Sequence, residues 1–129
     1  MQWRHPGSIA LLALALATGS AAAQTAADVP YSAESVAKGR ALFMSNCTQC
    51  HGNDGKSQVD VISDATDLTE PALYRNGKSD VDILQSIRDG RGGVMPAYGA
   101  LLKSDESLGH LRNFIKSLWP AGQRPAAGK

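Results

Sequence analysis

The sequence predicts an all-α domain of three to four helices. Three observations point there. Apolar residues recur at helical spacing in three separate stretches. A serine that can act as an N-cap precedes each stretch. No segment alternates apolar and polar residues convincingly, as a half-buried strand would, and no internal repeat appears.

Taken in order, residues 1–23 read as a signal peptide. Arg4 supplies the positive start, Ile9 to Ala17 form a short apolar run, and Ala21-Ala22-Ala23 gives a small-residue cleavage signal before Gln24. The run is well short of the ~20 residues a membrane-spanning helix needs, which favours a cleaved leader over a retained anchor. Residues 24–31 are expected to be a flexible leader, followed by a domain over residues 32–119.

The first helix starts at a Ser32 cap and runs to about Asn46. Val36, Gly39, Phe43 and Cys47 share one of its faces, so it carries Cys47 to the end of a buried stripe. Residues 52–72 are loop-like, punctuated by Gly52, Gly55, Asp60, Asp64, Asp67 and Pro71. A short helix is expected from Pro71 to Tyr74, closed by an Asn76-Gly77 turn. Ser79-Asp80-Val81-Asp82 resembles a capping box with Asp in place of Glu. It opens a helix whose stripe is Val81, Leu84 and Ile87 and whose end is Gly90. Residues 92–99 form a bend-rich loop. Ser104 caps the last helix, with Asp105 and Glu106 favourably placed in its first turn. Leu108, Leu111, Phe114, Ile115 and Leu118 are its buried face, and Pro120 stops it. Residues 120–129 are expected to be a disordered tail.

Cys47-Thr48-Gln49-Cys50-His51 carries the chemistry. Two thiols three residues apart can reach the two vinyl-derived carbons on one porphyrin edge, and the histidine that follows can ligate the iron beneath the ring. This reads as attachment of one covalent haem c through Cys47 and Cys50, with His51 as proximal iron ligand. Zinc is the weaker reading, because a structural site wants four ligands and no second pair of Cys or His is grouped nearby. A thioredoxin-like pair lacks its βαβ context. A plain disulfide stays open in an oxidising compartment.

Met95 is the best candidate for the distal iron ligand. The Gly92-Gly93 pair lets the backbone approach the porphyrin, and Pro96 stiffens the turn that presents the thioether. Met44, three residues before Cys47, cannot easily cross to the other ring face. His110 lies off its helix's apolar stripe and reads as a surface residue. A vacant site is the remaining alternative. Methionine ligation raises the potential relative to two histidines.

These motifs resemble the small class I monohaem cytochromes c of bacteria over roughly residues 32–119. Cys47, Cys50, His51 and Gly52 match the attachment motif. The family packs a Gly-x-x-x-aromatic on its first helix against an aromatic on its last. Gly39-Arg40-Ala41-Leu42-Phe43 and Leu111-Arg112-Asn113-Phe114 look like those halves. Asn76-Gly77-Lys78-Ser79 and Gly92-Gly93-Val94-Met95-Pro96 look like the family's middle helix and ligand loop. The resemblance implies a cytochrome c fold with the N- and C-terminal helices crossing. One departure stands out. Where the family usually has a proline whose carbonyl holds the proximal histidine, this chain has Thr66. Another carbonyl is then expected to take that role, and the sequence does not name it.

The chain has 129 residues, with 13 Lys and Arg against 12 Asp and Glu. Loss of Arg4 with the leader brings the two signs level, and two ionised propionates would add about −2. No global basic field favours nucleic acid. The expected function is an exported, periplasmic electron carrier, monomeric, with no membrane span once cleaved and no substrate transformed at the haem. Its partners are expected to be periplasmic redox proteins. The alternative is a dedicated acceptor for one periplasmic dehydrogenase, or an oxidase-associated subunit. A five-coordinate haem enzyme or gas-binding protein is the rival from another class. Lys56, Lys78, Arg91 and Lys103 are candidate partner-facing charges.

Overall fold

A computed structural model describes residues 1, 25–57 and 64–128. Residues 2–23 of the proposed signal peptide therefore lie outside the described residues. The described chain is helical, with one isolated antiparallel bridge between Arg91 and Met95. The helices are α1 (Ala33–Asn46), α2 (Thr48–His51), α3 (Asp80–Asp89), α4 (Gly99–Leu102) and α5 (Asp105–Ser117). Short 3₁₀ turns lie at Ala26–Asp28, Pro71–Leu73 and Ala121–Gln123. None of the described helices is long and apolar enough to cross a membrane.

The three long helices start where their serines allow. Ser32 accepts from the Ser35 amide, Ser79 from Asp82 and Ser104 from Ser107, each bond satisfying a first-turn donor. Asp82 completes the box by accepting from the Ser79 amide and hydroxyl, at 3.1 and 2.6 Å. Those two bonds hold its carboxyl below the usual range. The apolar face of α3 differs from the expected stripe. Ile83, Leu84 and Ile87 are buried, whereas Val81 is 68% exposed. The face turned to the core is centred between positions 83 and 87, which leaves Val81 on the solvent side of the first turn.

α1 and α5 cross closely. A Cβ on Gly39 would stand 2.0 Å from the His110 carbonyl oxygen, so only glycine permits the approach. Beside it Phe43, fully buried, meets Phe114 with ring centroids 5.0 Å apart and planes inclined by 51°. Leu108 and Leu111 complete the seam.

Two expectations about the ends need correction. Residues 25–31, read as a flexible leader, are docked on α5. Arg112 is 3% exposed, and its guanidinium donates to the carbonyls of Ala26, Ala27 and Val29 at 3.2, 3.3 and 2.6 Å. It also pairs with Asp80 at 3.1 Å. Asn113 donates to Pro30 O and Ser35 Oγ. Ala26 and Val29 are buried. Likewise residues 120–128, read as a disordered tail, make a 3₁₀ turn and run back to the leader, where the Gly128 amide donates to Tyr31 O. Arg124 Nε donates to Trp119 O. In both segments, hydrogen bonds to backbone carbonyls replace the apolar periodicity by which a sequence shows an ordered element.

Candidate haem-binding site

α1 ends on the first cysteine of the motif. The Cys47 amide still closes on Phe43 O at 2.9 Å, and α2 begins at the next residue, so the motif is a continuation of the helix with a bend at Cys47. Cys47 and Cys50 are free thiols, partly buried, which does not support the disulfide reading. Burial, and then the nearby Cys50, push the Cys47 thiol up to about 11.

His51 is held by Thr66. Its Nδ1 lies 3.1 Å from the Thr66 carbonyl oxygen. A carbonyl can only accept, so Nδ1 carries the proton and Nε2 keeps its lone pair. Burial lowers the ring's pKa, against the raising effect of that hydrogen bond, which favours the neutral ring that can ligate a metal. The position of the missing family proline thus still supplies the carbonyl. Its side chain changed while its backbone kept the role, and no other carbonyl was needed.

The opposite element of the motif set is the loop after α3. The helix ends at Gly90, φ 73°, where a Cβ would stand 2.4 Å from Met95 O. Arg91 and Met95 then exchange both backbone hydrogen bonds, at 2.9 and 3.0 Å, which closes a tight hairpin on Met95 itself. Tyr98 ties the loop down at two points. Its amide donates to Ile87 O at 2.9 Å, and its hydroxyl donates to Asn46 O at 3.1 Å, immediately before Cys47.

These elements enclose a cavity of about 430 Å³. Cys47, Cys50, His51 and Met95 all line it, together with apolar side chains such as Phe43, Leu68, Ile83, Ile87, Leu111 and Ile115. Two free thiols, a neutral imidazole with Nε2 available and a thioether on one apolar cavity fit a covalently held haem. Met44 and His110 are not among the lining residues. His110 is not the surface residue expected. Its side chain is 12% exposed at the helix crossing, with Nδ1 2.8 Å from Ser35 Oγ and Nε2 3.3 Å from Glu106. Arg91, expected as a partner-facing charge, turns instead to the cavity, with Nε donating to Ser86 Oγ at 3.0 Å. Lys56, Lys78 and Lys103 are exposed. Sequence reasoning gave no role to Ser57, Tyr98 or Arg75. The last two line the cavity.

Residues 34–115 match the family described as cytochrome C oxidase, cbb3-type, subunit III. The chain belongs to this family of class I c-type cytochromes. It carries haem c. Among curated relatives, the Cbb3-type cytochrome c oxidase subunit FixP of Azorhizobium caulinodans is 42% identical over 65 residues, 50% of this chain and 21% of that protein. The chain therefore spans about a fifth of that relative. Among solved structures, cytochrome c6 of the diatom Phaeodactylum tricornutum aligns with TM-score 0.51 and 28% identity, over 62% of this chain and 88% of that one. Cytochrome CL of Methylophaga aminisulfidivorans aligns with TM-score 0.56 over 65% of this chain and 55% of that one, and at 20% identity it supports the fold alone. The family's fold is the all-α arrangement described above, with its terminal helices crossed.

Proposed function

We propose that this chain carries single electrons to or within a terminal oxidase system outside the cytoplasm. Its haem would be attached through Cys47 and Cys50 and ligated by His51 and Met95. The observation that carries this reading is the convergence of those four side chains on one apolar cavity. The cbb3-type subunit III family supports the oxidase as partner ahead of a general shuttle. When bound, the haem supplies a one-electron ferrous/ferric couple.

The chain's residues then have separate tasks. Thr66 fixes the tautomer and plane of His51. The Arg91–Met95 hairpin holds the thioether, a soft donor that favours the reduced state and occupies the position a substrate would need. The apolar lining excludes water, so little solvent reorganises when the charge changes. On this reading the protein is a carrier and transforms no substrate itself. A second reading is a free carrier between periplasmic proteins, as the likeness to cytochrome c6 suggests.

Membranes containing a cbb3-type oxidase test the proposal. Reduced protein should be oxidised by them in a cyanide-sensitive reaction and should co-purify with the oxidase at moderate salt. Rapid oxidation without co-purification would select the free carrier. No oxidation at all would remove the oxidase from the reading.

A further inference from the structure

Ser57 has no part in the function proposed above, yet its geometry is costly. Its φ is 57°, and only Lys103 among the other described non-glycine residues is also left-handed. The Ser57 amide donates to His51 O at 2.9 Å, which folds the residue back over the Cys47–His51 segment. Its hydroxyl donates to the Thr66 carbonyl at 2.5 Å and lies 3.4 Å from His51 Nδ1. The same carbonyl oxygen accepts from His51 Nδ1–H at 3.1 Å. One acceptor therefore serves two donors, and the hydroxyl holds the shorter bond.

A carbonyl has lone pairs for both. Electron density drawn towards the hydroxyl is nevertheless lost to the imidazole N–H. A weaker bond at Nδ1 leaves the ring less imidazolate-like, so Nε2 is a poorer donor, and a poorer donor stabilises ferric iron less. We infer that Ser57 is a positioning residue that raises the reduction potential by competing with His51 for the Thr66 carbonyl. The inference rests on His51 being an iron ligand. It assigns the strained serine a role in tuning that ligand.

Two substitutions separate tuning from scaffolding. Ser57→Ala and Ser57→Gly both remove the hydroxyl, but only glycine relieves the left-handed backbone. Spectroelectrochemistry on each haem-loaded variant should show a lowered midpoint. At a fixed ambient potential the ferrous-to-ferric ratio should fall by roughly two- to tenfold, the worth of one hydrogen bond. The fall should be alike in both variants while their melting temperatures diverge. A potential that is unchanged, or that follows the melting temperature, overturns the inference. The iron–histidine stretch of the ferrous protein, read by resonance Raman in a Met95→Ala background, gives the second measurement. Adding Ser57→Ala should raise its frequency, as the Nδ1 bond strengthens. A band that is present and unmoved defeats the role of Ser57 alone. If the ferrous variant is five-coordinate and high-spin by its marker bands and still shows no iron–histidine band, the ligand assignment itself fails and the inference falls with it.

Discussion

The helix crossing and the ligand loops are built on opposite principles. At the α1–α5 crossing, side chains fill each other's space. Gly39 admits the His110 backbone, and Phe43 and Phe114 close the groove. The loops are joined by a few hydrogen bonds to backbone carbonyls, from His51 to Thr66, from Tyr98 to Asn46 and Ile87, and the pair exchanged by Arg91 and Met95. Their side chains line the cavity of about 430 Å³. The crossing thus rests on side-chain packing, and we expect the haem to complete the packing of the loops. A terminal-helix scaffold formed independently of haem would present the cysteines before attachment.

The strongest way to break that contrast is to remove the attachment. Cys47→Ser with Cys50→Ser should abolish covalent haem, leaving all of it extractable into acidified organic solvent. Far-ultraviolet circular dichroism should then show partial retention of helix. Complete loss of helix would mean the crossing too depends on haem.

Next comes the loop alone. Met95→Ala should keep the haem but open its distal side. The far-red sulfur-to-iron band should vanish, the potential should fall, and the ferrous protein should bind carbon monoxide at neutral pH. A band that survives, or a haem spectrum altered by His110→Ala, would return the ligand assignment to its rivals.

The crossing is tested by Gly39→Val. The contact it creates is with backbone, which cannot swing aside, so the cost should be near the upper end for overpacking, about 3 kcal/mol by denaturant titration. The haem spectrum of the folded fraction should be unchanged, since the damage is to packing. Arg112→Met should cost somewhat less, about 2 kcal/mol, by taking the guanidinium donor from the carbonyls of Ala26 and Ala27 and leaving Val29 O only the longer bond from Asn113. Limited proteolysis should then cut within residues 25–31 faster than in the wild type.

The smallest effect sharpens the comparison through pH. The Ser79 hydroxyl and amide hold the Asp82 carboxyl low in the folded state. A depressed folded pKa contributes stability that is present above the unfolded value and is lost as pH falls through the folded one. Asp82→Asn should therefore lower the melting temperature slightly at neutral pH. The difference from wild type should close in strong acid.

The sequence by itself determined the helices that begin with serine caps, because a cap is a local bond three residues long. It also pointed to the attachment motif, because Cys47, Cys50 and His51 lie within five consecutive residues. The pairing of Gly39 and Phe43 with the last helix was legible through resemblance, and the structure bears it out. Other features depended on partners distant in sequence. Arg112 had no assigned role, because the leader carbonyls it holds lie 83 or more positions away. His110 looked exposed until Ser35 met it. Thr66 looked like a departure because a side chain was compared, while the working atom is a backbone oxygen that every residue possesses. Ser57 carried no signal, since the carbonyl it shares with His51 lies nine residues further along the chain. Local bonds are written in neighbouring letters. A carbonyl's second donor, or a guanidinium's several acceptors, exists only once the chain has folded and brought them within three ångströms or so of each other.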